Sequence, residues 1–312
     1  MNYKELRIVF MGTPAFAVAS LNELVEAGCN IVGVISAPDK PAGRGMELQQ
    51  SEVKKYSIEK GLKVLQPTKL KDEMFLEELR SLKADMQIVV AFRMLPEVVW
   101  SMPSRGTINL HGSLLPQYRG AAPINWAIIN GEKTTGVTTF KLQHEIDTGD
   151  ILMSESINID EAETAGSLHD KMKIVGAKLL LKTVKLLSEG GLIVKPQLTI
   201  IKNEELSLKH APKIFTETCK IDWQNSGKSI IDLIRGLSPY PAAFCFINEK
   251  KLKIFEANFI EESHNLLPGE IETDQKSFLR FACNDGFISV KDIQLEGKKR
   301  MQIEDFLRGY RF

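Results

Sequence analysis

Short apolar runs alternate with stretches of helical spacing through the first two thirds of the chain. Leu6 to Met11 is apolar apart from Arg7 and stops at Gly12-Thr13-Pro14. From Phe16 to Ala27 the apolar residues recur at helical intervals up to Gly28, and Ile31 to Ile35 supplies the next strand. Strand, helix and strand in that order predict a right-handed parallel crossover at the start of a doubly wound sheet. The alternation continues with a helix over Glu52 to Lys60, a buried strand from Met86 to Ala91 and a strand from Thr107 to His111. Pro123 to Ile129 reads as a short helix, Gly136 to Leu142 as a strand, and Ile151 to Ile159 as the second arm of a hairpin. Leu168, Met172, Val175, Leu179, Leu180, Val184 and Leu187 lie on one stripe of a long amphipathic helix from Thr164 to Leu187.

Beyond Gly190-Gly191 the pattern changes. Leu192 to Lys209, with Pro196 and alternating charge, reads as an extended linker. After a helix around Ser229 to Leu237, short strands at Ala242 to Ile247, Leu252 to Phe259, Glu270 to Thr273, Phe278 to Cys283 and Phe287 to Leu295 suit a small closed β-barrel. A chain of 312 residues exceeds the usual single-domain size. The expected organisation is therefore a catalytic domain over residues 1–190, a linker over 191–209 and a second domain over 210–312.

Composition narrows the function classes. Lys plus Arg and Asp plus Glu are both 40, so any contact with nucleic acid must come from local patches. Cys29, Cys219, Cys245 and Cys283 are too widely spaced for metal-ligand pairs or a secreted disulfide framework, and read as small buried hydrophobes. No apolar run approaches the roughly 18 residues that span a bilayer, so a cytoplasmic, monomeric enzyme with no membrane partner is expected. Gly12-Thr13-Pro14-Ala15-Phe16-Ala17 departs from the dinucleotide fingerprint, and its proline removes an amide donor that a pyrophosphate needs. Ser36 to Ser51 is polar, rich in Gly and Pro and too long for an ordinary connection, with Arg44 set between two glycines.

The candidate chemistry lies in two places. Gly106 to His111 alternates in type, so a strand there buries Ile108 and Leu110 on one face and projects Asn109 and His111 from the other. Asp147-Thr148-Gly149-Asp150 falls at the predicted hairpin turn. Taken alone, Asn109 and His111 are also what a strand end uses to satisfy nearby backbone, and Asp147 to Asp150 is a common turn composition. His144, His169, His210 and His264 read as loop, exposed or core-edge residues.

Together the two segments resemble the folate-dependent formyltransferases. The resemblance rests on Asn109-Leu110-His111-Gly112-Ser113-Leu114-Leu115-Pro116 and Asp147-Thr148-Gly149-Asp150. The longer run His111 to Ile124, Phe10-Met11-Gly12-Thr13-Pro14 and Pro38-Asp39-Lys40-Pro41-Ala42-Gly43-Arg44-Gly45 are similar to its methionyl-tRNA branch. The likeness is close over residues 1–190 and one of layout beyond. It implies a doubly wound Rossmann-like formyltransferase domain followed by a small OB-like β-barrel domain. It also implies transfer of the formyl group of 10-formyltetrahydrofolate, a co-substrate, to the α-amino group of methionine on initiator methionyl-tRNA, with no metal.

That reaction requires attack by an amine, an oxyanion and a proton delivered to the departing nitrogen. Carried over, Asn109, His111 and Asp147 form the catalytic centre: Asn109 donates to the oxyanion, His111 moves protons, and Asp147 orients His111. Ser113, Leu114, Leu115 and Pro116, with Phe92 and Met94, line the folate site, the backbone and Ser113 supplying polar contacts. Lys40 and Arg44 lie in the loop that the resemblance brings to the acceptor end of the tRNA; Lys250, Lys251, Lys253, Lys298, Lys299 and Arg300 in the second domain are candidate phosphate contacts, in clusters small enough to be solvated surface instead. Where the family has Ala-Tyr-Gly-x-Ile-Leu-Pro, this chain has Ala91-Phe92-Arg93-Met94-Leu95-Pro96, which alters the expected folate wall. The rival readings are a formyltransferase acting on an amino sugar nucleotide or glycinamide ribonucleotide, and a non-catalytic tRNA-binding protein on the same fold.

Overall fold

A computed structural model describes residues 2–42, 47–204 and 207–311. They fold as two units. The first holds Met1–Gly120, Gly136–Ile157 and His169–Lys209; the second holds Ala121–Thr135, Asn158–Leu168 and His210–Phe312.

In the first unit β1 (Arg7–Gly12) leads into α1 (Ala15–Glu26), then β2 (Asn30–Ile35), α2 (Glu52–Glu59), β3 (Val64–Leu65), α3 (Glu73–Ser81), β4 (Met86–Val90) and β5 (Thr107–His111). Further strands β6 (Thr134–Lys141) and β7 (Ile151–Asn158) complete a seven-stranded sheet ordered β7-β6-β5-β4-β1-β2-β3. The pairs from β5 through β3 are parallel, and β6 runs antiparallel to β5. Strand order reverses between β1 and β4, where an open parallel sheet receives its ligands at the carboxyl ends. Gly12, Val90 and His111 close those ends.

Local sequence explains the elements. Helix α1 buries Phe16, Ala17, Ser20, Leu21 and Leu24, one stripe of a 3.6-residue period. It stops at Gly28, whose φ of 76° is left-handed and suits a residue without Cβ. Ser51 accepts from Lys54 N–H at 3.1 Å and Asp72 from Phe75 N–H at 3.3 Å, capping α2 and α3. Helix α3 packs Phe75, Leu76 and Leu79 with Val9, Met11, Ile35 and Val89 in one apolar cluster. Leu110, on the other face of β5, approaches Gly176 of the long helix Ala165–Glu189 so closely that an added Cβ would lie 2.9 Å away.

Two expectations need correction here. The polar segment Ser36 to Ser51 is not a plain loop, since Lys40–Ala42 pairs antiparallel with Glu47–Gln49. Its base is held by Asp39, which accepts from Lys54 Nζ at 2.6 Å and Gln66 Nε2 at 2.8 Å. The segment expected to be an extended linker carries the helix Gln197–Glu204, opened by Pro196, and lies within the first unit. Proline at a helix start needs no amide donor, so Pro196 marks a beginning rather than an interruption.

In the second unit β8 (Ala243–Ile247), β9 (Lys250–Glu261), β10 (Ile271–Thr273), β11 (Leu279–Cys283) and β12 (Gly286–Leu295) form an antiparallel sheet ordered β8-β9-β12-β11-β10, with Met301–Gln302 paired to β12. Register shifts near Ile254, Glu256 and Ala257 bend β9. The sheet curls into a half-barrel. The closed barrel expected from strand spacing is not completed by strand pairing among the described residues. Instead Ile230, Ile234 and Leu237 of one helix and Ile303, Phe306 and Leu307 of another close its core. All four cysteines are buried, as expected.

Candidate active site

Strand β5 sits between β4 and β6, with Asn109 opposite Val89 and Phe140, and His111 opposite Thr138. Two-residue alternation puts Asn109 and His111 on one face. Ile108 and Leu110 are buried on the other. The Asn109 carboxamide is half-buried and makes no hydrogen bond among the described residues. It is a donor held at the sheet's carboxyl end with its N–H groups uncommitted.

His111 is buried and fixed from two sides. Nε2 lies 2.9 Å from the Tyr118 carbonyl oxygen. A carbonyl only accepts, so Nε2 carries the proton and Nδ1 is the nitrogen free to gain or lose one. Tyr118 turns its carbonyl inward through a left-handed φ of 58°. The Phe140 ring meets the imidazole edge-on at 6.4 Å. Nδ1 faces Asp147 Oδ2 at 3.8 Å, ion-pair range and beyond a direct hydrogen bond.

Asp147 follows β6 in the turn to β7, and the turn closes with Lys141 N–H donating to the Asp150 carbonyl at 3.0 Å. It takes φ of 54°, a conformation that Asp tolerates better than most side chains. Asp147 is 8% exposed, turned inward beneath a tip whose residues 143–146 are exposed. Oδ2 accepts from Gly120 N–H at 2.9 Å. The backbone is gripped by Gln197, whose Nε2 donates to the carbonyls of Asp147 at 2.9 Å and Gly149 at 2.7 Å. Gln197 Oε1 in turn accepts from Arg119 Nε at 3.0 Å and Nη2 at 2.6 Å. Burial pushes the Arg119 pKa down, and the carboxylates of Asp147 and Glu145 push it back up.

Residues 6–184 match the family model of the formyl transferases, and residues 213–311 that of the formyl transferase C-terminal domain. The chain belongs to the formyl transferase family. Among its relatives, the methionyl-tRNA formyltransferase of Bacteroides thetaiotaomicron is 53% identical over 320 residues, covering 100% of this chain and 98% of the relative. That of Parabacteroides distasonis is 56% identical over 317 residues, with the same coverage of 100% and 98%. Among solved structures, the N-formyltransferase from Helicobacter canadensis in complex with folinic acid and dTDP-3-aminofucose superposes with a TM-score of 0.69 at 20% identity, covering 95% of this chain and 100% of that one. HypX from Aquifex aeolicus, in complex with tetrahydrofolic acid, gives a TM-score of 0.65 at 19% identity over 97% of this chain and 48% of its own. Likeness at these identities carries the fold alone.

The remaining expected residues of this formyl transferase are those of the folate wall and those of the tRNA contacts. Ser113 has no exposed surface, and its hydroxyl donates to the Gln117 carbonyl at 2.6 Å. That bond closes the turn after β5. Leu115 packs with Phe140 and Ile151, Pro116 is buried, and Leu114 lies against Gly136, where an added Cβ would meet it at 2.5 Å. Phe92 packs on the apolar cluster beside α3, while Met94 is 72% exposed. Arg93 is drawn aside: it donates to the carbonyls of Pro67 and Thr68, the latter at 3.0 Å, and stacks on Phe92.

Of the expected tRNA contacts, Arg44 lies outside the described residues and Lys40 is exposed in its short strand. Lys250, Lys298 and Lys299 are exposed, and Lys251 covers the Phe244 ring at 4.3 Å. Glu296 N–H donates to the Lys251 carbonyl at 2.8 Å and Lys251 N–H donates to the Glu296 carboxylate at 3.1 Å, which brings the two basic turns to one end of the second unit. Lys253 donates to the Pro241 carbonyl at 3.2 Å. Arg300 is engaged within the protein, paired through Nε and Nη2 with Asp292 at 2.7–3.0 Å and stacked on Phe255. Sequence reasoning passed over Tyr118, Arg119 and Gln197. Tyr118 and Arg119 stood inside the quoted motif. For Gln197 the only signal was a polar residue directly after Pro196.

Among the described residues no group of three or more His, Cys, Asp and Glu is placed to hold a metal, and no helix is long and apolar enough to cross a membrane.

Proposed function

We propose that this protein is a methionyl-tRNA formyltransferase, which moves the formyl group of 10-formyltetrahydrofolate to the α-amino group of methionine on initiator tRNA in the cytoplasm. The observation that carries this reading is Asn109 and His111 on one face of β5 at the carboxyl end of the sheet, with Asp147 beside His111, in a chain similar along its whole length to relatives with that name. The folate co-substrate supplies an activated formyl group on a nitrogen. The surroundings fit such a ligand: an uncommitted carboxamide at Asn109, with half-buried Phe92 and exposed Met94 following the neighbouring strand β4.

Asn109 donates a side-chain N–H to the formyl oxygen as negative charge develops there, a contact worth about 3–4 kcal/mol of barrier when aligned. Tyr118 holds the imidazole through Nε2, so proton movement is left to Nδ1. Asp147 stands beside that edge and, directly or through one water, partners it when it carries a proton. Lys40, Arg44 and the basic turns at Lys250, Lys251, Lys298 and Lys299 are the sources of phosphate contact for the tRNA.

The test is acceptor choice. With 10-formyltetrahydrofolate supplied, purified protein is expected to formylate methionyl-tRNA and to leave a dTDP-amino sugar and glycinamide ribonucleotide unmodified. Turnover of either small acceptor with none on methionyl-tRNA would replace this reading with a rival one. Salt-sensitive tRNA binding without any turnover would make the protein a binding module.

A further inference from the structure

Outside the three groups assigned to chemistry, one side chain has every hydrogen-bonding valence directed at the Asp147 turn or at its neighbour. Gln197 is 1% exposed. Its carboxamide can sit only one way round: the Arg119 guanidinium solely donates, so Oε1 must face it, and the carbonyls of Asp147 and Gly149 solely accept, so Nε2 must face them. The two carbonyls flank Thr148, on either side of the peptide units that set where the Asp147 side chain emerges. Asp147 itself holds a left-handed φ of 54°, a backbone state that surrounding contacts must maintain. On the opposite side Gly120 N–H, the amide directly after Arg119, bonds Asp147 Oδ2 at 2.9 Å. Residues 119 and 120 therefore reach Asp147 twice, once at the carboxylate and once at the backbone through Gln197.

We infer that Gln197 is a positioning residue for the formyl-transfer reaction, its carboxamide bridging Arg119 to the Asp147 and Gly149 carbonyls so that the Asp147 carboxylate is held against His111 Nδ1. This rests on the functional reading above, since it gives Gln197 no contact with substrate and no step of its own. Its effect runs entirely through Asp147. A Glu at position 197 keeps the acceptor for Arg119 but turns a second oxygen toward two carbonyls, which drives the turn away. A Met keeps the length and loses all four bonds.

The experiment is steady-state formylation of methionyl-tRNA by the full chain, with thermal unfolding of each variant alongside. Gln197→Met and Gln197→Glu are expected to lower kcat at least tenfold, with KM for folate and for tRNA each within threefold of the unmodified protein. Thr183→Val, which removes a buried hydroxyl pair at 2.9 Å with Thr139, serves as the stability control. It lowers the unfolding temperature and leaves kcat within twofold. Because Gln197 acts through Asp147, adding Gln197→Met to Asp147→Asn should change kcat by less than twofold further. A kcat within twofold of normal in Gln197→Met, or a full tenfold loss repeated in the Asp147→Asn background, would overturn the inference while leaving the formyltransferase reading intact. Absence of turnover in the unmodified protein would overturn that reading, and this inference with it.

Discussion

At the scale of single residues, the site works by denying choices. The Tyr118 carbonyl occupies Nε2 of His111 and leaves Nδ1 toward Asp147, and Gly120 and Gln197 hold the Asp147 turn from two sides. Gly149 shows how tightly that turn is seated, because a Cβ built there overlaps the Lys141 carbonyl oxygen, a backbone atom of β6 that cannot give way alone. Gly149→Ala is therefore expected to destabilise the protein by about 1–3 kcal/mol through overpacking, and to cost activity beyond its effect on folding because Asp147 moves with the turn. Urea unfolding and kcat on the same preparation check both halves. Unchanged values in both would show that the turn is looser than its contacts say. These residue-scale constraints were only partly legible beforehand. Alternation along β5 was enough to pair Asn109 with His111, whereas the turn that sets Asp147 beside His111 is gripped by Gln197, 50 residues away, and no local pattern encodes a contact at that separation.

At the scale of elements, periodicity located most strands and helices, and the exceptions have physical causes. Strand β3 is two residues long, too short to alternate, and was passed over. Helix α3 packs on the sheet through only Phe75, Leu76 and Leu79 within a highly charged sequence, which hid its single apolar stripe. The hairpin between β8 and β9 turns on Asn248 and Glu249, both at positive φ, where a glycine would have been the clearer signal. The turn before β11 depends on charge. Asp274 accepts from the backbone N–H groups of Lys276, Ser277 and Phe278 and from the Ser277 hydroxyl, at 2.6–3.1 Å. The Ser277 hydroxyl and then the backbone donors hold its carboxyl well below the usual range. A depressed folded value stabilises the native state fully above the unfolded value, near about 4, and loses that contribution as pH falls toward the folded one. Asp274→Asn should thus lower the urea midpoint by a constant amount between about pH 6 and 8, and the gap should narrow below about pH 4. A gap that stays constant down to about pH 3 would mean that the carboxylate charge does not hold the turn.

At the scale of the whole molecule, a chain with equal numbers of acidic and basic residues has no excess charge to offer the proposed nucleic-acid acceptor, so its local basic patches must serve. Lys250, Lys251, Lys298 and Lys299 gather at one end of the second unit because β9 and β12 are neighbours there. Arg300, equally basic in the sequence, is neutralised by Asp292, a distinction that only the folded sheet reveals. The division into units shows the same limit of sequence reading. Residues 121–135 and 158–168 are interleaved with the first unit along the chain yet fold with residues 210–312, and Pro123–Ile129 packs on Gly227–Leu237 where Gly236 leaves room for Ile129. Apolar spacing reports that a helix has a buried face, and is silent on which unit covers it. The central claim concerns how one end of one sheet converts this framework into a transferase. It is tested most directly by kcat for methionyl-tRNA formylation in Asn109→Ala, His111→Ala and Asp147→Asn, each verified as folded by its unfolding temperature. The account predicts that every one of the three falls about 100-fold or more with the fold intact. Normal turnover in any folded member of the set would contradict it.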